Sequence, residues 1–519
     1  MPSSAESAGE MVWSSDDVRR VGRQVVELIA GQLEQATDGP VFRPYPQALA
    51  EVLAAEGIPR QGSEPDAVLD DFSRLVGPYP LGNGHPRFWA WVCSPPAVMA
   101  VFAEALAAAM NPHCDVANHA AIHIERQVLD WFKDIIGFPR SSGGLLVSGG
   151  SMANLTALAV ARHAKGGVNV RREGLQGQRQ KLLLYVSEEG HSCLRKASEL
   201  LGIGSANIRV IPTDARFRMR VDELTAQLLL DLAAGHRPLA VVASAGTTNT
   251  GSIDPLEEIA EVCRRHAVWL HVDGAYGAPA VVSRHYREQL SALSLADSVA
   301  LDPHKWLQIP VEAGSVLVKD AGAMRDAFSL VPPYLRQDGN AQGVEGPISF
   351  AEFGFEQTRG SRALKIWMTI RHHGLDALAR VIEDNIELAR LLYRRVEEDA
   401  ELEVMAPQEL SVVCFRYAPP HLHSDPALLD ALNRALVERL QLGGEAFLAG
   451  TLVRGAYALR ACIVNYLSRP QDVEITLAAV KRLGAELAAD SEALVAMDVA
   501  AHLHTPEQWG EAGASSMTK

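Results

Sequence analysis

VWLHVDGAYGA (268–278) and SVALDPHKWLQIP (298–310) share one form: a largely apolar run, a carboxylate at its end, then small or cyclic residues. Runs that are apolar on both faces are strands of a parallel sheet covered on both sides, because a half-exposed strand would alternate. The second stretch also pushes His304 and Lys305 against that apolar run, where a purely structural strand end needs neither.

Working outward, LLLYVS (182–187), IRVI (208–211), LAVVASA (239–245) and SVLVKD (315–320) repeat the pattern, separated by helix-length segments. The expected fold class is therefore α/β, with a mostly parallel central sheet and helices on both faces, and ligands at the carboxyl ends of strands. Earlier, VRRVGRQVVELIAGQLEQ (18–35) sets Val21, Val25, Leu28, Ile29 and Leu33 on one helical face, and helical spacing returns at 97–111 and 124–138. After the helix RALKIWMTIRHHG (362–374), VVCFRY (412–417) and YALRACIVN (457–465) alternate with helices in a smaller α+β unit. The expected division is a helical N-terminal segment (1–90), a large α/β domain (91–370), a small domain (371–490) and a flexible tail (491–519).

With 48 Lys and Arg against 63 Asp and Glu, the net charge of −15 has no basic stripe to offset it, which disfavours nucleic acid and anionic membranes as partners. The six cysteines are scattered, without the spacing of a disulfide framework or a zinc site. No signal peptide or membrane-length apolar run is present, so the expected location is the cytoplasm.

Several strand ends carry chemistry. VSGGSMANLTAL (147–158) is a glycine-rich turn feeding a helix, whose unpaired N–H groups near Gly149, Gly150 and Ser151 suit a phosphate. Asp273 ends one strand, followed by Gly274 and Ala275, which let a flat ligand approach. His191 follows LLLYVS, and GTTNTG (246–251) brings hydroxyls to another strand end. Taken singly, each has a plainer reading as a cap or turn residue. Lys305 lies 305 − 273 = 32 residues beyond Asp273, one strand–helix–strand unit later, so both project from the same sheet edge. An amine in apolar surroundings, expected to have a lowered pKa, can form a Schiff base. With a carboxylate for a protonated pyridine nitrogen and a helix start for a phosphate, these are the requirements of pyridoxal 5′-phosphate (PLP).

HPRFWAW (85–91), SGGSMANLTAL, HSCLRKA (191–197), GTTNTGSID (246–254), HVDGAYGA (271–278), DPHKWL (302–307) and LRACIVN (459–465) together resemble the group II PLP-dependent amino-acid decarboxylases, the family of aromatic-L-amino-acid, glutamate and histidine decarboxylases. The resemblance covers roughly residues 15–485 and is nearest to the aromatic members. It implies the type I PLP fold, like that of aspartate aminotransferase, and a carboxy-lyase acting as a homodimer with its site at the subunit boundary. By motif, Lys305 would carry PLP, His191 would stack on its ring, Asp273 would pair with the ring nitrogen and Ala275 would pack on the opposite face. Gly150, Ser151 and His304 would hold the phosphate, and Thr248, helped by Thr247, would reach the polar edge of the ring. Trp91 and Ser94 would line the pocket of a flat, apolar substrate side chain.

Two departures bear on substrate and product. The segment 109–125 carries Asn111 and His113 where apolar wall residues are expected. In the glycine-rich lid (338–365), Phe350 stands where decarboxylating relatives carry a proton-donating tyrosine, and no tyrosine lies between Tyr334 and Tyr393. Phenylalanine cannot donate a proton. Besides decarboxylation of an aromatic amino acid to its amine and CO2, the alternatives are oxygen-dependent conversion to an aldehyde and decarboxylation of an acidic or small polar substrate; a scaffold has no need of Lys305, Asp273 and His191 together.

Overall fold

The computed structural model describes residues 11–114, 118–330 and 349–489. Its centre is a seven-stranded sheet of β1 (Gly143–Val147), β2 (Leu182–Ser187), β3 (Ile208–Ile211), β4 (Arg237–Ser244), β5 (Trp269–Asp273), β6 (Ser298–Leu301) and β7 (Gly314–Val318), in the order β1-β7-β6-β5-β4-β2-β3. All pairings are parallel except those of β7, which runs antiparallel to both β1 and β6. The expected strands are all present. The sequence reading passed over β1, whose GGLLV run is short and opens with glycines.

The pattern follows from burial. Every residue of β1, β2, β6 and β7 is buried, and each aliphatic side chain so enclosed contributes about 1.5–3 kcal/mol. Helix Gly150–Lys165 lies across β4 to β7, and helix Leu256–His266 packs on β4 and β5. Close approach at the strand ends demands small residues: a Cβ on Gly274 would lie 2.6 Å from Ala278 Cβ, and one on Gly314 would lie 2.5 Å from Gly149 Cα.

A second, antiparallel sheet joins β8 (Leu402–Val404), β9 (Val412–Tyr417), β10 (Ala449–Val453) and β11 (Ala456–Cys462) in the order β10-β11-β9-β8. Helices Leu375–Glu397, Pro426–Gly443 and Pro470–Ala488 cover it. Trp89, from the N-terminal side, is fully buried in this smaller core, and Phe88 stacks on Phe447 at 4.9 Å. The two sheets are joined by Tyr276 Oη to Ser411 Oγ (2.6 Å), the Leu410 N–H to Tyr286 Oη (2.8 Å), and Trp306 Nε1–H to Asn385 Oδ1 (3.0 Å). The expected tail, 491–519, lies outside the described residues.

Helix Ser15–Gln35 is capped by Ser14, whose Oγ accepts the Asp17 N–H at 3.1 Å, yet it buries none of its residues. Among the described residues its expected apolar face has no partner surface that buries it.

Behind β1 sits a fully buried ion pair. Arg359 donates to Glu125 Oε1 (2.5 Å) and Oε2 (3.1 Å) and to the Leu146 carbonyl (2.7 Å), while Glu125 Oε1 accepts the Leu146 N–H at 3.2 Å. Removing one partner leaves a desolvated charge. Arg359→Met is therefore expected to lose about 3–5 kcal/mol of stability, read as a lower urea midpoint; an unchanged midpoint would show that the pair is dispensable.

Candidate active site

Five parallel strands, β1, β2, β4, β5 and β6, finish at one edge of the large sheet, and each delivers polar groups there. Because β7 runs the other way, its start and the preceding residues 311–313 reach the same edge. The result is a cleft of about 680 Å3 between the large sheet, the Trp91–Ser94 segment and β10–β11. All ten residues expected at the site line it: Trp91, Ser94, Gly150, Ser151, His191, Thr248, Asp273, Ala275, His304 and Lys305. A wider surface groove of about 1920 Å3 over helix Leu256–His266 is lined by charges of both signs and holds none of them.

The glycine turn leaves helix Gly150–Lys165 without a side-chain cap. Its first intrahelical bond runs from the Ala153 N–H to the Gly149 carbonyl, which leaves the N–H groups of Ser151 and Met152 as helix-start donors beside the cleft. The Gly150 N–H goes instead to Asp302 Oδ2 at 2.9 Å. A Cβ at Gly150 would lie 2.8 Å from both Ala275 Cβ and Asp302 Oδ2, so only glycine fits there.

Asp302 is 1% exposed and also contacts Lys305 Nζ at 3.2 Å, while its Oδ1 has no hydrogen-bond partner. Burial pulls the Lys305 ammonium down, but the carboxylates of Asp302 and Asp273 outweigh it, and its pKa lies above the ordinary lysine value. This corrects the expectation of a lowered pKa. Its neighbour His304 is pushed toward neutrality by burial, and Nδ1 of that ring lies 2.7 Å from the Ala313 carbonyl.

Asp273 closes β5. Its Oδ2 accepts Asn154 Nδ2–H at 2.8 Å and its Oδ1 accepts the Ala275 N–H at 3.2 Å. His191 stands exposed on the cleft wall, where Nδ1 accepts the Cys193 N–H at 3.1 Å; this leaves Nε2 to carry the proton of the neutral ring, which desolvation favours. Ser94 is buried, with its Oγ 3.4 Å from the His304 carbonyl. Thr248 is exposed to the cleft, whereas Thr247 is committed to its turn: its Oγ1 accepts the Ser252 N–H at 3.0 Å and lies 3.0 Å from Thr250 Oγ1.

Two segments read as departures in the pocket lie away from this chain's own cleft. Asn111 and His113 are not among the cleft residues; Asn111 ends helix Val98–Met110 in the left-handed conformation (φ 41°). Phe350 is 3% exposed in the main core, its ring 5.3 Å from the Arg359 guanidinium, and does not line the cleft either. The lid residues 338–348 lie outside the described residues.

Asp302, Asn154 and Arg460 are functional neighbours to which sequence reasoning gave no role. Arg460, 3% exposed in β11, donates to the carbonyls of Trp91 (2.8 Å) and Asn249 (3.1 Å), and so holds Trp91 in its left-handed conformation (φ 51°) across the cleft. An arginine inside the apolar run YALRACIVN was the available signal.

Fold and cleft together define an enzyme built to hold an anionic, aromatic aldehyde cofactor: a lysine, a carboxylate facing it across the floor, and an uncapped helix start at one end. The Pyridoxal-dependent decarboxylase conserved domain matches residues 46–418, and the chain belongs to that family. It is 34% identical over 476 residues to the aromatic-L-amino-acid decarboxylase of Bacillus atrophaeus, covering 91% of this chain and 97% of the relative. It is 28% identical over 470 residues to the phenylacetaldehyde synthase of Arabidopsis thaliana, covering 89% and 94%. The crystal structure of Oryza sativa TDC with PLP and tryptamine superposes with a TM-score of 0.84 at 28% identity, covering 91% of this chain and 99% of that one. The protein is thus a PLP-dependent amino-acid decarboxylase.

The donor set fits PLP: helix-start N–H groups and Ser151 for a phosphate, Asp273 for a ring nitrogen, Lys305 for the aldehyde carbon. Because Asp302 holds Lys305 as an ammonium, Asp302→Asn is expected to lower the pH midpoint of borohydride-trappable PLP capture by roughly 1–3 units. An unshifted midpoint would show that Asp302 does not control the lysine.

Proposed function

We propose that this enzyme converts an aromatic L-amino acid to its amine and CO2, working as a homodimer. The observation that carries the reading is the convergence of all ten expected residues on one cleft around Lys305. Similarity to the aromatic-L-amino-acid decarboxylase and to the TDC structure with tryptamine supports the aromatic substrate.

When bound, PLP supplies a conjugated electron sink for the pair released at the substrate Cα. The chain's own residues do the rest. Lys305 would hold the cofactor covalently, and Asp302 Oδ2, 3.2 Å from its Nζ, is placed to take up a proton from it. Asp273 would pair with the ring nitrogen, with His191 on one ring face and Ala275 on the other. Ser151, Gly150 and His304 would hold the phosphate, with Thr248 at the polar edge of the ring. Trp91, 48% exposed on the cleft wall, offers a flat apolar surface to the substrate side chain, next to Ser94. Orienting the substrate carboxylate against the ring would fall to the residues that line this cleft.

The carboxylate of Glu189 also lines the cleft, which disfavours an acidic side chain. The aldehyde-forming reading rests on the missing tyrosine and on the similarity to phenylacetaldehyde synthase. An amino-acid panel measured under air and under nitrogen separates the outcomes. Amine and CO2 are expected in equal amounts without oxygen uptake, and Lys305→Ala is expected to lower turnover at least a thousandfold (order of magnitude). Oxygen consumption with aldehyde, ammonia and peroxide would overturn the amine product, and full activity of the alanine variant would overturn the site.

Dimerisation is supported by unpartnered apolar surface on two helices: Val18, Val25 and Val26 on Ser15–Gln35, and Val98, Phe102, Leu106 and Met110 on Val98–Met110. Its burial in a two-fold interface would remove that surface from water. Six unpaired cysteines fit a reducing cytoplasm, and no described helix is long and apolar enough to cross a membrane. Sedimentation is expected to give the mass of two chains, and removal of residues 1–35 is expected to weaken the dimer. A fully active monomer would contradict the assignment.

A further inference from the structure

Behind Asp273 runs a buried line of polar groups that the chemistry above leaves unused. Trp269, His271 and Asp273 alternate along β5 and so share one face of the sheet. Trp269 Nε1–H donates to Ser298 Oγ at 2.8 Å; Ser298 Oγ lies 2.9 Å from His271 Nδ1; His271 Nε2 lies 2.8 Å from Asn154 Oδ1; and Asn154 Nδ2–H donates to Asp273 Oδ2 at 2.8 Å. Trp269, Ser298, His271 and Asn154 are all buried, between 0% and 4% exposed.

The proton positions in this line follow from chemistry. An indole N–H can only donate, so Ser298 Oγ accepts it and has its own hydrogen free for His271 Nδ1. The imidazole then carries its hydrogen on Nε2 and gives it to Asn154 Oδ1, which turns the amide N–H2 toward Asp273. The opposite tautomer, with Nδ1–H directed at the Ser298 carbonyl 3.2 Å away, would flip the amide and set its oxygen against the Asp273 carboxylate. A doubly protonated ring would satisfy both oxygens, but burial lowers the His271 pKa to about 4 and keeps it neutral. The line therefore has one direction, and it ends on the cleft.

We propose that Trp269, Ser298, His271 and Asn154 are positioning residues that keep an amide N–H turned toward the Asp273 carboxylate and aim that carboxylate at the cofactor, so that the PLP ring nitrogen stays protonated. The proposal rests on the reading that Asp273 is the ring-nitrogen partner. None of the four touches substrate; they act through Asp273. An N–H donated to a carboxylate stabilises its charged form, and the tautomer of His271 decides whether Asn154 presents that N–H or a repelling oxygen. Asn154 Nδ2 also lies 3.2 Å from Cys193 Sγ, but that thiol cannot substitute for the charge-directed contact.

The test uses holoenzyme loaded with PLP labelled with 15N in the ring, whose chemical shift reports ring-nitrogen protonation directly, together with PLP affinity. His271→Phe and Asn154→Leu are expected to move the shift toward that of an unprotonated pyridine and to weaken PLP binding roughly ten- to hundredfold. His271→Gln, which can place an amide N–H near the Nε2 position, is expected to restore both. Ser298→Ala removes one oxygen, carries little risk to folding, and is expected to move the shift part of the way. Asp273→Asn is the reference and is expected to give the full displacement. If it does so while His271→Phe and Ser298→Ala leave the shift unchanged, the relay is overturned and the role of Asp273 stands. If Asp273→Asn itself leaves the shift unchanged, the ring-nitrogen reading fails and the relay falls with it.

Discussion

The carboxylate of Asp302 is the contact around which the site is assembled. One buried oxygen accepts the Gly150 N–H at the start of the helix after β1 and touches the Lys305 ammonium one turn further along its own chain. It thereby joins strands β1 and β6, which are separated in the sheet by β7. That joint sets the distance between the helix start and the amine, and a cofactor gripped at both ends requires that distance to be constant. Proline at position 303 helps, since its restricted φ starts the short helix Pro303–Trp306 in which His304 and Lys305 lie.

Charge deep in the protein is tolerated because each group has a defined partner. Glu125 and Arg359 neutralise each other behind β1, and the nearly buried Lys365 reaches Glu104 at 3.0 Å. Asp273 is treated differently: it receives two neutral N–H donors and stands opposite Lys305 without a direct cation contact. A carboxylate held by dipoles rather than locked in an ion pair remains available to a ligand. Arg460 serves as a brace, spanning Trp91 and Asn249 from the small sheet, so that the cleft wall and the floor move together.

The large sheet was readable because its strands are apolar on both faces and end in glycine, aspartate or proline, signals that depend on a few consecutive residues. The weakly patterned strands escaped: β1 begins with two glycines, and β8 and β10 are short or partly exposed. Most site residues were legible for the same reason, since they follow strand ends within a few residues; Trp91 and Ser94 precede the first strand and were read from the HPRFWAW motif. Asn154 was not, because an asparagine one turn into a helix reads as ordinary; its meaning comes from lying over Asp273, 119 positions later in the chain. Phe350 shows the converse. Its place in the sequence puts it in the lid segment, and only the fold shows its ring packed in the core beside the buried Arg359.

Local pattern was enough to read the parallel sheet, a lysine and a carboxylate at its strand ends and the glycine turn, because strand ends in such a sheet all open on one edge. The protonation states needed three-dimensional neighbours. Lys305 is held charged by Asp302 and Asp273, His304 and His271 are kept neutral by burial, and the amide of Asn154 is turned by a histidine from another element. Electrostatic free energy depends on separation and on the exclusion of water, and both are properties of the folded chain, which residue order alone does not specify.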